Sequence, residues 1–480
     1  MAATVELDDV QGLVVRGYSG LRSASFLLLT LTDPDAARPA LDRLARRVTD
    51  GRSEPPDTAV NVALTSDGLR LLGVRTPDVE GFPEAFVSGM TDADRSRFLG
   101  DVGANAPPHW RWGGPATPPV HVLVMLYALD GRRLAALETE LRRDALATGG
   151  LTEALRLGTE ELSDREPFGF RDGISQPLIE GLPKAAAALR ARARDETPGD
   201  VVKAGEFILG YPNEYGLLTD RPVLPPADDP GRVLPREPGG SGADLGRNGT
   251  YLVFRQLHQD VEGFWGYADA ATRRPDGSSD PAARAALAAR MVGRWPSGAP
   301  LVHAPLEDDP ALATDNDFGY FATDPGGLRC PLGAHVRRAH PRDSLDPDPG
   351  SPQSVAIGRR HRILRRGRAY GPGGAAADGG ERGLHFLCVN ANISRQFEFI
   401  QHTWLNNPSF NGLSDGPDPL VAPRQDHRRA TFTEQARPVR TRHAGLPQFV
   451  SVQGGAYFFL PGLRALRYLC SAPAPAGERR

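Results

Sequence analysis

The sequence predicts an α+β fold of two ferredoxin-like halves, in which antiparallel sheets are covered by helices. Short apolar segments that read as strands are each followed by a segment with the apolar spacing of a helix. These pairs do not follow the regular rhythm of a parallel strand–helix–strand series, and they recur in both parts of the chain. Residues 224–247, rich in Pro, Gly and charge, read as a linker. We therefore expect an N-terminal half at residues 1–225 and a C-terminal half at residues 248–480.

Each predicted pair consists of a strand followed by a helix. In chain order the pairs are 23–31 with 34–47, 60–64 with 69–72, 121–129 with 134–146, 250–257 with 261–267, 383–389 with 393–404, and 456–460 with 463–469. Asp33 stands where it can cap the first of these helices. In the segment 393–404 apolar residues recur at i, i+4, i+7 and i+11, which predicts one buried helix face. These residues are Ile393, Phe397, Ile400 and Trp404.

Composition and charge argue against a nucleic-acid-binding protein and against a membrane protein. The 480 residues carry 56 Lys and Arg against 59 Asp and Glu, a net charge of -3. A protein dedicated to nucleic acid or to a membrane surface needs a basic excess, so neither partner is expected. The first basic residue is Arg16, and neither a signal peptide nor a twin-arginine signal is predicted. The longest apolar stretch, 120–129, is shorter than the ~20 residues of a membrane span, so we expect a cytoplasmic protein.

The cysteines favour a reducing compartment. Cys330, Cys388 and Cys470 are odd in number, widely spaced and without a C-x-x-C pair. This is neither a disulfide framework nor a zinc site. We expect all three to be reduced residues of the core.

One cluster of interest spans residues 166–177. Asp172 lies between Gly169 and Gly173, and glycine lets the backbone approach a flat ligand closely. Asp172 could therefore be held against a buried cofactor. The alternative is a tight turn in which the aspartate bonds to its own backbone.

Two further clusters lie downstream, at residues 330–343 and 361–371. In the first, His335 stands among small and apolar residues, where a neutral imidazole could bind a metal, and Cys330 could supply a thiolate. The alternatives are a structural histidine and a small buried cysteine. In the second, five basic residues surround an Ile-Leu pair, and we favour one functional arginine with solvated neighbours.

In order and approximate spacing, these clusters resemble the signature of the dye-decolorizing (DyP-type) haem peroxidases, in the larger subfamily with fungal and many bacterial members. The matching segments are 168–177, 334–342, 363–371, 383–388, 395–404 and 454–462. The resemblance extends over nearly the whole chain. It departs at His340, where related sequences often carry Asn.

The resemblance implies one non-covalent haem b per chain, held mainly by the C-terminal half, and oxidation of dyes, phenols or similar donors by hydrogen peroxide. It makes His335 the proximal iron ligand, Asp172 the distal acid–base group and Arg365 the distal arginine. A single carboxylate can carry the proton between the two peroxide oxygens, and the arginine would stabilise negative charge as the O–O bond breaks. The other implied site residues are Gly169, Gly173, Ile174, Leu384 and Phe386 at the haem, Asp418 as partner of the proximal imidazole, and Tyr370 and Trp404 as surface radical sites.

Because Leu384 and Phe386 alternate on a strand, both can face the distal pocket while His385 faces away. Two other hypotheses stay open. One is a protein that senses, stores or delivers haem, with Cys330 as a regulatory ligand. The other is a non-haem metal protein that uses His335, His340 and a carboxylate. The sequence leaves the oligomeric state open.

Overall fold

The structure is a computed structural model that describes residues 4–74, 81–191, 201–371, 380–424, 426 and 430–471. Its strands are β1 (Ser23–Leu31), β2 (Thr58–Leu64), β3 (Val122–Ala128), β4 (Leu151–Gly158), β5 (Leu178–Ile179), β6 (Val201–Val202), β7 (Val223–Leu224), β8 (Ala243–Asp244), β9 (Thr250–Gln259), β10 (Leu364–Arg365), β11 (Arg368–Tyr370), β12 (Gly383–Asn390), β13 (Thr431–Glu434), β14 (Thr441–Ala444) and β15 (Val450–Leu460).

Its α-helices are α1 (Gly12–Val15), α2 (Pro34–Ala45), α3 (Ser66–Leu71), α4 (Glu84–Ser88), α5 (Ala93–Leu99), α6 (Gly131–Asp144), α7 (Pro183–Ala191), α8 (Val261–Ala271), α9 (Pro281–Val292), α10 (Tyr320–Thr323), α11 (His335–Ala339), α12 (Pro352–Arg359) and α13 (Leu463–Ser471). Among the described residues, none of the helices is both long and apolar enough to cross a membrane.

Nine strands form one antiparallel sheet in the order β10-β12-β9-β15-β2-β3-β1-β4, with β11 also paired to β12. The first four strands of the chain lie in the order β4-β1-β3-β2. In the second half β15-β9-β12-β10 repeats this order, fourth-first-third-second, which is that of a ferredoxin-like unit. The two units meet where Phe459 of β15 pairs with Leu64 of β2. The predicted α+β class with two ferredoxin-like halves is confirmed, while the boundaries at 225 and 248 stay a prediction.

The strand–helix pairs arise where the sequence places them. Strand β1 has the predicted bounds, and the side chain of Asp33 caps α2 by accepting from the N–H groups of Asp35 and Ala36. Several other elements were not predicted from the sequence, among them β4 and α9. Strand β4 carries charged residues on its exposed positions, and α9 is built largely of alanine, so neither shows a strong apolar period.

The predicted helix at 393–404 is wrong in its type. The chain forms two π-helical segments, Ser394–Glu398 and Ile400–Asn406. The N–H of Glu398 reaches back five residues to the carbonyl of Ile393, at 3.0 Å. The face predicted to be apolar is nevertheless buried, because all four of its residues are at most 5% exposed.

The two faces of the sheet bury different cores, and one of them positions the site. Alternate residues of β12 point to opposite faces, as the pleat requires. Leu387 and Val389 pack on the face that also holds Phe26 of β1, whereas Phe386 and Cys388 pack on the other face. That second face, in the C-terminal half, forms the floor of a cavity.

Candidate active site

A cavity of about 300 Å³ lies against the sheet of the C-terminal half. Three neighbouring strands supply its floor, since Leu384 of β12 pairs with Leu257 of β9, and Leu257 pairs with Val452 of β15. Most residues of the wall come from the second half; from the first half the wall takes residues 99–101, 105, 166, 168 and 170–175. The loop with the aspartate motif therefore closes a cavity that the second half builds.

His335 begins the short helix α11 and faces the cavity. Its Nδ1 lies 2.9 Å from Oδ2 of Asp418, whose side chain is fully buried. The other oxygen of Asp418 accepts from the N–H groups of Leu420 and Val421, each at 2.9 Å. These three contacts fix the carboxylate, which in turn orients the imidazole.

The pKa values of this pair reflect mutual stabilisation. Burial alone would lower the pKa of His335, but the neighbouring Asp418 carboxylate outweighs it and raises the pKa. Burial would likewise raise the pKa of Asp418, but His335 and the N–H groups around it lower the pKa instead. Asp418 is therefore ionised, and its Oδ2 accepts a hydrogen bond from Nδ1–H of the ring. Nε2 is then the nitrogen left for a ligand.

Asp172 and Arg365 form an ion pair at the cavity wall, with Nη1 of the arginine 3.0 Å from Oδ1 of the aspartate. Oδ1 also accepts from the N–H of Gly173 at 2.6 Å. Among the described residues, no hydrogen bond engages Oδ2 of this carboxylate. One oxygen is thus held in place, and the other can exchange a proton with a ligand.

Gln176, in the same segment as Asp172, fixes the strand that carries the arginine. Its amide nitrogen donates to the carbonyl of Arg365 at 3.2 Å, and its amide oxygen accepts from the N–H of Arg365 at 3.1 Å. Arg365 pairs with Cys388 in the sheet, and cross-strand partners share a face, so the guanidinium points to the cavity side. Sequence reasoning gave Gln176 no role.

A group of cationic side chains lines another part of the cavity, around His340. The members are Arg294, Arg342, Arg362 and Arg365. The hydrogen bonds of Arg294 and Arg342 go to carbonyl and amide oxygens of residues 298, 315, 316 and 318, not to carboxylates. Burial, reinforced by the arginines, lowers the pKa of His340 far below its usual range. The imidazole is therefore neutral, and this wall attracts anionic groups.

Glu166 is a carboxylate of the cavity wall to which the sequence patterns assigned no function. Its oxygens accept from the N–H of Phe168 at 3.0 Å, the N–H of Phe170 at 2.9 Å and the amide of Gln259 at 2.7 Å. Burial raises the pKa of Glu166 to about 7, although these three donors oppose the rise. No local pattern in the sequence separates Glu166 from nearby acids such as Glu160. Only the fold distinguishes Glu166, through its burial and its three donors.

The other residues predicted to contact the haem lie at the cavity wall, except for one that lies in a turn. Gly173, Ile174, Leu384 and Phe386 line the cavity. Gly169 does not. Its φ of +95° closes a turn in which its N–H bonds the carbonyl of Glu166 at 2.8 Å. The prediction for the strand at 384–386 agrees with the geometry, since His385 faces away and stacks on Tyr370 with ring centroids 4.5 Å apart.

The prediction that Tyr370 and Trp404 lie at the surface is wrong. Tyr370 is 8% and Trp404 4% exposed. Tyr370 of β11 pairs with Gly383 of β12, which shares a face of the sheet with His385. Tyr370 therefore stacks on His385, on the face of β12 opposite the cavity. Trp404 lines the cavity and packs against His361, Phe399 and Phe410.

The cysteine and metal alternatives find no support in the geometry. Cys330 is fully buried, is not part of the cavity wall, and its thiol lies 3.9 Å from the carbonyl of Gly293. Burial raises its pKa to about 12, so it is a thiol and not a thiolate. Cys388 and Cys470 are also free and buried, as predicted. Within the described parts of the chain, no three His, Cys, Asp or Glu side chains are grouped to hold a metal ion.

Comparisons with known proteins give a consistent result. The chain is 30% identical to dye-decolorizing peroxidase msp1 of Mycetinis scorodonius, covering 98% of this chain and 88% of that protein. It is 29% identical to the multifunctional dye peroxidase DyP2 of an Amycolatopsis species, covering 98% and 96%. No protein-family model matches the chain.

Solved structures are similar over nearly the whole fold. A dye-decolorizing peroxidase in complex with 2,6-dimethoxyphenol superposes with a TM-score of 0.75 and 26% identity, covering 97% of this chain and 100% of that one. A dye-decolorizing peroxidase whose heme pocket was engineered for asymmetric sulfoxidation gives a TM-score of 0.76 at 26% identity and the same coverage.

Proposed function

Since the chain belongs to the dye-decolorizing peroxidase family, we propose that it is a haem b peroxidase in which His335 binds the iron, Asp172 moves protons and Arg365 stabilises negative charge. Hydrogen peroxide is the oxidant, and dyes, phenols or similar aromatics are the donors. The observation that carries the proposal is that one cavity receives both the His335–Asp418 pair and the Asp172–Arg365 pair.

The residues of the cavity fit haem b. Nδ1 of His335 is engaged by Asp418, which leaves Nε2 to bind iron. Leu384, Phe386 and their strand neighbours would offer an apolar surface to the porphyrin. The arginines around His340 other than Arg365 would offer partners to its carboxylates. The chain has no C-x-x-C-H motif for the thioether attachment of a c-type haem, which agrees with the proposed non-covalent haem b. When bound, haem supplies the iron at which peroxide is reduced and the oxidising equivalents that the donor consumes.

Asp172 is the proton carrier of the proposed reaction. Peroxide must lose a proton from one oxygen and gain one on the oxygen that leaves as water. With Oδ1 held by Gly173 and Arg365, Oδ2 is the atom that takes the proton and returns it. The guanidinium of Arg365 places a positive charge beside this carboxylate and lowers the energy of the negative charge that develops on the leaving oxygen.

Asp418 acts on the reaction through His335. By accepting the Nδ1 proton it fixes the ring tautomer and makes Nε2 a more basic ligand. Of the two predicted radical sites, Trp404 is better placed to pass electrons from bulky donors, because it lines the cavity. Tyr370 is separated from the cavity by β12.

The first test is the absorption spectrum of the purified protein with haem, before and after hydrogen peroxide. Wild-type protein is expected to show a Soret band that changes with peroxide, and His335→Ala is expected to lose it. His402→Ala is the matched control, because that histidine is exposed and stacks on Phe98 away from the cavity. A normal haem content and spectrum in His335→Ala would refute the proposed ligand.

The second test concerns the distal pair. Asp172→Asn and Arg365→Leu are expected to keep haem and to react with peroxide about 10²- to 10⁴-fold more slowly, the usual contribution of a positioned acid–base group. Asp67→Asn is the control, since its side chain is 65% exposed and pairs with Arg70 outside the cavity. Wild-type rates in both distal variants would contradict the roles of Asp172 and Arg365.

A further inference from the structure

The loop that carries Asp172 is a narrow hairpin. Arg165 and Arg171 face each other as an antiparallel bridge, and the N–H of Asp172 donates to the carbonyl of Asp164 at 2.9 Å. Within the hairpin, the N–H of Glu166 donates to the carbonyl of Phe170 at 3.0 Å. Asp172 therefore leaves the hairpin directly after its last bridge, and its orientation depends on the shape of the loop.

The carboxylate of Glu166 fills the inside of this hairpin. It accepts from the N–H groups of Phe168 and Phe170, which belong to the turn, and from the side chain of Gln259 at the end of β9. Three donors converge on its two oxygens, and an amide in the same place could not accept all three bonds, because one of its two groups is NH₂. The same carboxylate thus closes the turn and ties it to the floor of the cavity.

Other contacts of the loop do not replace this tie. The rings of Phe168 and Phe170 are buried against Phe264, and Nε1 of Trp265 donates to the carbonyl of Phe168 at 3.0 Å. These contacts hold the tip of the loop against α8. Glu166 is the side chain that joins the tip to the strand floor from the cavity side.

We propose that Glu166 is a positioning residue that holds the 165–171 loop in shape and thereby sets the orientation of Asp172 toward peroxide. Gln259 is its partner from β9. The inference rests on the proposed proton transfer by Asp172. It assigns Glu166 no contact with peroxide, so its effect must pass through Asp172.

The test is a double-mutant cycle in the haem-loaded enzyme. In Glu166→Gln the NH₂ group would face one of the three donors, so the hairpin cannot keep all of its bonds. We expect haem content to stay normal and kcat/KM for hydrogen peroxide to fall about 10- to 100-fold, the scale of a misplacement of about 1 Å. KM for 2,6-dimethoxyphenol should stay within about twofold of wild type.

The decisive comparison is Glu166→Gln in the Asp172→Asn background. If Glu166 acts through Asp172, the double variant should be no more than about threefold slower than Asp172→Asn alone. Glu161→Gln is the matched control, because that carboxylate is 63% exposed and pairs with Arg22 outside the cavity. A wild-type peroxide rate in Glu166→Gln, or the same loss of rate in both backgrounds, would overturn the inference.

A second variant covers the case in which Glu166→Gln does not fold. Gln259→Met removes the donor from β9 and leaves the two backbone donors in place. It should slow the peroxide reaction about three- to tenfold, again only when Asp172 is present. An unchanged rate in this variant would also overturn the inference. Failure of wild-type protein to bind haem or react with peroxide would instead refute the proposed function.

Discussion

Replacement of Asp418 by Asn tests how strongly the buried carboxylate controls His335. Asp418 accepts from Nδ1 of the imidazole through one oxygen and from two backbone N–H groups through the other. An asparagine has one oxygen and one NH₂ group. If the oxygen stays on the backbone, the NH₂ faces Nδ1, and the ring must carry its proton on Nε2, the nitrogen proposed to bind iron.

The alternative orientation of the amide is also costly. If the oxygen turns toward Nδ1–H, the N–H groups of Leu420 and Val421 lose their acceptor in a fully buried site. A buried donor without a partner costs about 1–3 kcal/mol. At 1.4 kcal/mol per factor of ten, haem binding should weaken about 5- to 140-fold.

The assay is a titration of the haem-free protein with haemin, followed at the Soret band. Asp415→Asn is the control, because Asp415 lies three residues away, is 46% exposed and pairs with Arg442. The control should bind haem as wild type does. A dissociation constant for Asp418→Asn within about twofold of wild type would refute the reasoning.

Three further predictions concern stability and reactivity. Gln176→Leu removes both amide bonds to the backbone of Arg365, so the free energy of unfolding should fall by about 1–3 kcal/mol and the peroxide reaction should slow; unchanged unfolding in urea would contradict this. Because the pKa of Glu166 is raised to about 7 from the usual 4.5, its contribution to stability is full below pH 4.5 and is lost as pH rises through 7. At 1.36 kcal/mol per unit of pKa shift, this loss is at most about 3 kcal/mol. The melting temperature should therefore fall less between pH 5 and pH 8 in Glu166→Gln than in wild type. Equal falls in the two proteins would contradict the raised pKa of Glu166. Burial raises the pKa of both Cys330 and Cys470 to about 12, so a thiol reagent should label them only as fast as the protein unfolds; rapid labelling of the native protein would show the burial to be wrong.

Local patterns in the sequence were sufficient for most of the fold. The bounds of β1 and the cap of α2 follow from a run of apolar residues and from the Asp that precedes Pro34. Strand β4 and helix α9 were missed, because charge on an edge strand and a run of alanines leave little periodic signal. The π-helical geometry after Asn392 was also missed, since its apolar spacing differs little from that of an α-helix.

The sequence by itself determined which residue types could do the chemistry. A carboxylate between two glycines, an imidazole among small residues and an arginine after an Ile-Leu pair were all visible as local motifs. Alternation along a strand also predicted that Leu384 and Phe386 would share a face that His385 does not. These features depend on neighbours in the chain, which a sequence records directly.

Only the tertiary structure decided which of these groups meet and what their surroundings do to them. The pairing of His335 with Asp418 and of Asp172 with Arg365 joins residues 83 and 193 positions apart. Tertiary packing also decides the burial of Tyr370 and Trp404 and the raised pKa of Glu166. Each depends on what packs against the side chain from distant strands, and desolvation by those neighbours, not residue type, sets its exposure and its pKa.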